Sequence, residues 1–296
     1  MKLLSVITSE GPRLAAKIPA GILIFSQVKA HLSPEEPTLP LILEAVVTED
    51  GGVERVRAYL QAVLHDPQVS RLAIPEGEVR VGKPFLPGNV FCVGQNYSGH
   101  IKEGGGTIPE RPLLFAKWTS AIIGPGDPIV LPPDTNEVDY EAELAVVIGR
   151  RCRGVSAAEA LEYVAGYTCM NDVSARDFQR SDGQWSRAKS QDTFGPMGPY
   201  LVTRDEVPDP QGLSIRCSVN GQVLQHSNTE MMIFSVRELI AFISRGITLH
   251  AGDVISTGTP QGVGSAQKPP LFLRAGDEVV VEVEGIGRLS NPVKGM

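Results

Sequence analysis

The stretch Val138-Asp-Tyr-Glu-Ala-Glu-Leu-Ala-Val-Val-Ile148 combines the pattern of a β-strand with three acidic residues. Successive side chains of a strand point to opposite faces, so Asp139, Glu141 and Glu143 share one face and apolar residues take the other. Carboxylates this close repel one another unless a cation lies among them, and hard cations such as Mg²⁺, Mn²⁺ or Ca²⁺ prefer oxygen ligands. The stretch therefore predicts a strand that holds a metal site, with a solvent-facing acidic strand edge as the alternative.

The chain from Val90 onward is also rich in strand patterns, because short runs of Val and Ile alternate with turn residues. A hairpin is predicted over 214–225, where Asn220 and Gly221 can supply the positive φ angles of a type I′ turn. The segment 273–293 is expected to form two further strands. These patterns favour an α+β, β-rich domain with a roll or barrel-like arrangement.

Two capping boxes mark helices in this β-rich part of the chain. Ser156 with Glu159 predicts a helix that continues to Tyr167, and Ser235 with Glu238 predicts a second helix. Few other helices are expected among the strands.

The first part of the chain differs in its pattern. Residues 1–84 contain several prolines, a Pro-Glu-Glu-Pro loop at 34–37, and a predicted helix over 52–65 that ends before Pro67. We expect a small N-terminal module over 1–84 and a larger catalytic domain over 85–296.

Composition argues against several classes of partner. A formal net charge of -7 and a pI near 5.4 argue against nucleic acid, whose phosphates bind mainly Lys and Arg. The mean hydropathy is -0.02, and no run approaches the roughly 20 apolar residues of a membrane helix. The first residues contain only a short apolar stretch, unlike a signal peptide, so the sequence predicts a cytoplasmic protein without a membrane partner.

The cysteines and histidines do not form a zinc-binding pattern, because neither a C-x-x-C pair nor an H-x-x-x-H pair occurs. Any metal is therefore expected to have oxygen ligands. A further candidate ligand is Asp172, which is followed by Arg176 and Gln179. By itself this segment is equally compatible with a helix N-cap at Asp172 and a surface ion pair with Arg176.

A candidate general base lies in the segment Gly94–Gly106, where His100 and Glu103 are three residues apart and would share one face of a helical turn. A carboxylate beside an imidazole fixes its tautomer and suits a base that takes a proton from water. The glycines at 104–106 would let this segment act as a lid. An exposed His-Glu pair in a loop is the alternative.

Two more segments carry polar groups suited to an anionic substrate. Lys189 precedes a turn rich in Gly and Pro and could stabilise an enolate. The segment 256–264 is rich in Gly and Thr and could bind a carboxylate, but it lacks the Lys of a phosphate-binding loop. Structural turns are the alternative for both.

Five motifs, taken in order, resemble the fumarylacetoacetate hydrolase family over about residues 88–296. They are G-x-N-Y-x-x-H-x-x-E, D-Y-E-x-E-L, N-D-x-x-A-R-D-x-Q, K-S-x-D-T-F-x-P-x-G-P and T-G-T-P-x-G-V-G. The resemblance implies a mixed β-roll or β-sandwich catalytic domain, a homodimer, and bound Mg²⁺ or Mn²⁺, with Ca²⁺ as a structural substitute. The positions that match the family's functional residues are Glu141, Glu143 and Asp172 for the metal, His100, Glu103 and Lys189 for catalysis, and Arg176, Gln179 and Thr259 for substrate binding.

The reaction that this resemblance favours is metal-dependent hydrolysis of a C-C bond in a small 2,4-dioxo acid of the acylpyruvate or fumarylpyruvate type, which releases pyruvate. The same site could decarboxylate oxaloacetate, catalyse a keto-enol isomerisation, or isomerise a 2-hydroxyhepta-2,4-diene-1,7-dioate from aromatic catabolism. A non-catalytic, metal-dependent binder of 2-oxo acids is the alternative of another class. Trp118, Gln191 and Gly195 depart from the family's usual residues and are expected to alter the pocket wall.

Overall fold

Strands dominate the computed structural model, which describes residues 1–32 and 39–296. The strands are β1 (Lys2–Thr8), β2 (Gly11–Ile18), β3 (Gly21–Ile24), β4 (Val90–Gly94), β5 (Leu113–Lys117), β6 (Ile122–Ile123), β7 (Ile129–Leu131), β8 (Val138–Asp139), β9 (Ala142–Ile148), β10 (Val164–Asn171), β11 (Ser174–Ala175), β12 (Gly195–Thr203), β13 (Ser214–Val219), β14 (Gln222–Asn228), β15 (Val254–Ser256), β16 (Glu278–Val283) and β17 (Gly287–Gly295). The helices are α1 (Phe25–Leu32), α2 (Leu43–Thr48), α3 (Gly52–Val63), α4 (Pro67–Arg71), α5 (Ser98–Glu103), α6 (Arg176–Asp182), α7 (Ser186–Lys189) and α8 (Val236–Ser244). The loop predicted at 34–37 lies outside the described residues.

Two sheets organise the molecule. The larger has the order β3-β2-β1-β12-β10-β9-β15-β4-β5, with β6 beside β12, and the smaller has the order β14-β13-β16-β17-β7. The predicted α+β, β-rich class is confirmed, whereas the strands of the described residues do not close into a barrel. No helix in the described part of the chain is long and apolar enough to cross a bilayer.

Strand β9 lies near the centre of the larger sheet and is buried along its whole length. Leu144 and Val146 pack into one hydrophobic core, shared with strands of the smaller sheet, while Ala145 and Val147 pack into a second core on the opposite face. The alternative of a solvent-facing acidic strand edge is therefore wrong, because both faces of this strand are covered.

The local predictions have mixed outcomes. The hairpin is confirmed, with φ angles of 51° at Asn220 and 80° at Gly221. The box of Ser235 with Glu238 caps α8 as predicted. The first capping box, however, precedes only a 3-10 turn over Ala160–Tyr163.

The helix predicted to continue to Tyr167 is wrong, because Val164–Asn171 forms β10 between β9 and β12. Its side chains are buried along the whole strand. Pairing within a buried sheet thus outweighs the local helix signal.

The N-terminal residues contribute to the same sheet as the rest of the chain, since β1 pairs antiparallel with β12. The second core mixes Leu3, Val46 and Val56 with Val147 and Leu201. The predicted helix over 52–65 is confirmed as α3. The division of the chain at residue 84 stays a prediction.

Candidate active site

The register of β9 and β10 brings the three predicted metal ligands together. The two strands are antiparallel with Ala142 opposite Asn171, and the backbone N–H of Asp172 donates to the carbonyl oxygen of Glu141 over 2.9 Å. Directly opposite residues of paired strands point to the same face, so Glu141 and Asp172 are neighbours. Glu143 lies two residues further along the same face.

One carboxylate oxygen from each of Glu141, Glu143 and Asp172 lies within 4.8 Å of the others, and all three side chains are buried. Glu143 Oε2 accepts hydrogen bonds from the Ser256 hydroxyl and, over 2.8 Å, from the Gly258 N–H. Burial and the charges of Asp172 and Glu141 raise the pKa of Glu143 to about 8.

Basic side chains surround the other two carboxylates. Lys189 Nζ lies 2.7 Å from Glu141 Oε2 and 2.8 Å from Asp172 Oδ2, and Arg176 lies 2.7 Å from Glu141 Oε1. Burial alone would raise the pKa of Glu141, but Lys189 and Arg176 outweigh it and lower that pKa to about 2. Burial likewise opposes the charge of Lys189, yet Asp172 and Glu141 raise its pKa above the ordinary value, so this ammonium stays protonated.

The donor set of this acidic cluster fits a hard divalent cation. All its ligand atoms are carboxylate oxygens, the donor type that Mg²⁺, Mn²⁺ and Ca²⁺ prefer. Within residues 1–32 and 39–296 the hydrogen-bond donors to Glu143 are neutral, and its raised pKa indicates that a positive charge near it would be stabilising. The residues thus could hold a metal.

Asp139 does not join this cluster, although strand alternation predicted that it would share a face with Glu141. Strand β8 ends at Asp139 and β9 begins at Ala142, so the regular alternation is interrupted. The Asp139 carboxylate accepts hydrogen bonds from the Gly264 N–H over 2.7 Å, the Ser265 N–H over 3.0 Å and Arg176 Nε over 2.8 Å. It therefore anchors the Gly-rich segment and Arg176.

The predicted His-Glu pair lies on α5. His100 Nδ1 lies 2.8 Å from Glu103 Oε1, and Glu103 Oε2 accepts a hydrogen bond from the Gly262 N–H over 2.7 Å. Both oxygens of the Glu103 carboxylate thus have a partner, which fixes its orientation toward His100. A neutral imidazole that donates Nδ1–H to Glu103 keeps its lone pair on Nε2.

Two cavities meet at His100, Arg176 and Gln179. The inner cavity, of about 120 Å³, is lined also by Glu141 and Lys189, whereas the outer cavity, of about 240 Å³, is lined also by Glu103, Arg180 and Ser265. Arg176 donates a hydrogen bond to Gln179 Oε1 over 3.0 Å. Predicted catalytic, metal-binding and substrate-binding side chains therefore border the same space.

Thr259 also lines the inner cavity, but its hydroxyl is already engaged. It donates to the Ala142 carbonyl oxygen over 2.9 Å and accepts from Gln225 Nε2 over 2.8 Å. Gln225 is fully buried and also accepts from the Ala142 N–H over 2.9 Å. Gln225 thus fixes Thr259, and the sequence pattern contained no signal for this role.

Lys117 is a second buried group that the sequence did not indicate. Its ammonium lies 2.8 Å from Asp172 Oδ1, and it donates to the carbonyl oxygens of Phe194, over 2.9 Å, and Lys189. A lysine in a short strand is ordinarily expected at the surface.

An aromatic pair forms another part of the inner wall. The rings of Phe115 and Trp185 lie 5.5 Å apart at 66°, and Lys189 Nζ lies 5.1 Å from the centre of the Phe115 ring. The three departures from the family pattern lie elsewhere, because Trp118, Gln191 and Gly195 border neither cavity. Their predicted effect on the pocket wall stays a prediction.

Comparison with known proteins was made by sequence and by structure. The family model described as fumarylacetoacetate (FAA) hydrolase, C-terminal, matches residues 89–294. The mitochondrial oxaloacetate tautomerase FAHD2A of Bos taurus is 46% identical over 265 residues, which cover 88% of this chain and 82% of the relative. This similarity extends well into the N-terminal residues.

Solved structures resemble the whole chain. A fumarylacetoacetate hydrolase from Exiguobacterium antarcticum has a TM-score of 0.81 and 38% identity, with 100% of both chains covered. A maleylpyruvate hydrolase from Sphingobium sp. SYK-6 has a TM-score of 0.79 and 30% identity, again with 100% of both chains covered. The fold is thus shared by proteins named for different reactions.

Proposed function

This chain belongs to the fumarylacetoacetate hydrolase family, and we propose that it is a divalent-metal-dependent enzyme that interconverts the keto and enol forms of oxaloacetate. The observation that carries this proposal is the 46% identity with an oxaloacetate tautomerase over 88% of the chain. The inner cavity supports it, since about 120 Å³ is well below the roughly 300–1,000 Å³ of pockets for drug-sized ligands. A four-carbon diacid suits such a space.

The acidic cluster and Lys189 would stabilise the enolate. A divalent ion held by Glu141, Glu143 and Asp172 would supply a Lewis acid for the 2-oxo group and the adjacent carboxylate. Lys189 keeps its proton, so it contributes fixed positive charge rather than acting as a base. Its contacts with Glu141 and Asp172 hold that charge in place.

His100 would move the proton. Nε2 takes the proton from C3 of the substrate, the C–H electron pair forms the C2–C3 double bond, and the C2–O π electrons move to the oxygen. The His100 imidazolium then gives its proton to that enolate oxygen, which yields the enol and restores the neutral base. Glu103 orients the ring and stabilises the imidazolium, because its carboxylate faces Nδ1. Arg176 and Gln179 face both cavities and would bind the substrate, while Thr259 would complete the wall of the inner cavity.

The direct test follows the ultraviolet absorbance of enol-oxaloacetate with Mg²⁺, with Mn²⁺ and with a chelator. We expect metal-dependent acceleration that His100→Ala lowers about 10²- to 10⁴-fold without loss of metal binding. His226→Ala serves as the control, since this histidine lies exposed on β14. Wild-type protein that fails to accelerate the decay with either metal would contradict the proposal.

Hydrolysis of an acylpyruvate or fumarylpyruvate is the second candidate function. It is favoured by the outer cavity, which continues beyond His100 and could take an acyl group, and by the structural likeness to a maleylpyruvate hydrolase. Here His100 would activate water for attack on the distal carbonyl. Pyruvate release from acetylpyruvate or fumarylpyruvate would support this reaction, and pyruvate release from oxaloacetate would indicate decarboxylation instead.

A non-catalytic binder of 2-oxo acids is not favoured. Such a protein would not require a base or a charged lysine beside the acidic cluster. Here His100 and Lys189 line the same cavity as Glu141, and Lys189 contacts two of the three carboxylates. Binding without turnover of all three substrates would nevertheless favour the binder.

A further inference from the structure

Gln95 has a left-handed backbone conformation although it is not a glycine. Among the described residues, the non-glycine positions with positive φ are Gln95 at 56°, Thr193 at 72° and Asn220 at 51°. Asn220 forms the hairpin turn, and the Thr193 hydroxyl accepts a hydrogen bond from the Val130 N–H over 2.8 Å. A left-handed residue other than glycine costs about 1 kcal/mol or more and persists only where its surroundings impose it.

The residues on both sides of Gln95 are held firmly. A Cβ on Gly94 would lie 2.5 Å from a ring atom of Trp185, so any other residue would require the Trp185 ring to move. Asn96 is fully buried, donates to the carbonyl oxygens of Phe234 and Thr257, and accepts from the Phe234 N–H. Gln95 is thus kept in its strained conformation by contacts that its own side chain does not make.

Gln95 is one of the residues that line the inner cavity, together with His100, Lys189 and Thr259. Its Nε2 lies 3.8 Å from the position that a Cβ on Gly106 would take, at the end of the turn that follows α5. Within the described part of the chain its carboxamide has no hydrogen-bond partner. Two N–H donors and one carbonyl acceptor are therefore available to a ligand.

We propose that Gln95 is a substrate-binding residue that sets specificity by donating a hydrogen bond to the oxygen on C4 of the substrate. This inference rests on the proposed function, in which that oxygen belongs to the distal carboxylate of oxaloacetate. A divalent ion at the acidic cluster, which lies where β9 begins and β10 ends, would bind the C1 and C2 oxygens. Gln95 instead follows β4 directly, His100 lies on α5, and both line the inner cavity, so Gln95 borders the same space as the base that acts at C3.

A site that hydrogen-bonds a substrate oxygen rejects analogues that lack it, because its polar groups are then left unpaired. The test therefore compares two ligands on the Mg²⁺-loaded protein by titration calorimetry. Oxalate has only the two adjacent carboxylates that would bind the metal, whereas oxaloacetate also carries the C4 carboxylate that Gln95 would contact. Gln95→Leu is expected to weaken oxaloacetate about tenfold and to change oxalate less than twofold.

A second variant separates the amide from the strained backbone. Gln95→Gly relieves the positive φ, so it should lose the same affinity for oxaloacetate while the melting temperature is unchanged or higher. Equal losses for both ligands would indicate a merely structural residue, and no loss for oxaloacetate would also overturn the proposal. If the wild-type protein binds acetylpyruvate and not oxaloacetate, the proposed tautomerase function is wrong. The role of Gln95 is then tested on acetylpyruvate, which also has an oxygen on C4. An unchanged acetylpyruvate affinity of Gln95→Leu would overturn that role.

Discussion

Glu141 and Glu143 lie in opposite electrostatic surroundings although they belong to one cluster. Glu141 contacts the charged ends of Lys189 and Arg176, whereas Glu143 accepts hydrogen bonds from the neutral groups of Ser256 and Gly258. A metal would therefore add most to Glu143, whose carboxylate forms no ion pair with any residue that the structure describes. This difference makes two predictions at the scale of single residues.

The first concerns metal affinity. The double variant Glu141→Ala/Glu143→Ala leaves only Asp172 and should weaken Mn²⁺ binding by more than about hundredfold, since loss of an outer-shell partner alone typically costs 10- to 100-fold. Titration calorimetry measures the Mn²⁺ affinity of the wild type and of the variant. Glu282→Ala removes a surface partner of Arg216 and serves as the control. Unchanged Mn²⁺ affinity in the double variant would contradict the assignment of metal ligands.

The second concerns pH. Because the pKa of Glu143 is raised from 4.5 to about 8, the folded protein binds this proton more tightly than the unfolded chain does. Its contribution to stability is therefore present below about pH 4.5 and lost as the pH rises to about 8. Since a metal requires the ionised carboxylate, stabilisation by Mg²⁺ should grow over the same range.

Thermal unfolding at pH 6, 7 and 8, with Mg²⁺ and with a chelator, measures both effects. Glu143→Gln keeps an oxygen that can accept from Gly258 but cannot ionise, so it should remove this part of the pH dependence. If wild type and variant show the same pH dependence in the chelator, the electrostatic account of Glu143 is wrong.

At the scale of elements, one sequence motif has two structural outcomes. Ser235 accepts from the Glu238 N–H at the start of α8, and Ser156 makes the matching contact with Glu159 before a 3-10 turn of four residues. Ser235→Ala should therefore destabilise the fold by about 1 kcal/mol, and Ser156→Ala by less. Denaturant unfolding of both variants measures the difference, and an equal or larger loss for Ser156→Ala would contradict it.

The same contrast explains which elements the sequence could predict. The hairpin at Asn220 depends on two adjacent residues, and the capping box of α8 on residues three apart, so local chemistry is sufficient. Strand β10 was predicted as a helix because its pairing with β9 and β12 is not visible in the local sequence. Pairing with strands distant in sequence therefore determined that this segment is a strand.

The residues of the candidate site were likewise predictable from the sequence only where local sequence determines their position. Strand alternation put Glu141 and Glu143 on one face, but the approach of Asp172 depends on the register between two strands and was supplied by resemblance. The alternation failed at Asp139, where the chain leaves the strand. Lys117 and Gln225 could not be predicted, because their burial depends on contacts distant in sequence.

At the scale of the whole molecule, the family resemblance predicts a homodimer, and the larger sheet offers a surface for it. Strand β5 forms one edge of that sheet, and Leu113 on this strand and Trp118 directly after it are 40% and 55% exposed. Unpaired edges readily accept another chain. Light scattering should give twice the chain mass of 31.8 kDa, and Trp118→Ser should lower the dimer fraction.

Val223→Ser is the matched control for Trp118→Ser, because Val223 is 51% exposed on β14, an edge of the smaller sheet. A monomer mass at micromolar concentration would contradict the dimer. A dimer that is insensitive to Trp118→Ser would exclude the β5 edge as its interface.

Removal of the N-terminal residues tests how far the predicted catalytic domain, 85–296, is independent. Leu3, Val46 and Val56 pack in one core with Val147 and Leu201, and β1 adds its hydrogen bonds to β12. Each fully buried side chain of this kind contributes about 1.5–3 kcal/mol, against a typical net stability of about 5–15 kcal/mol. The fragment 85–296 should therefore aggregate or melt far below the full chain and lose its response to Mg²⁺. Size-exclusion chromatography and circular dichroism measure this, and a monodisperse fragment with the melting temperature of the full chain would show that the second core is dispensable.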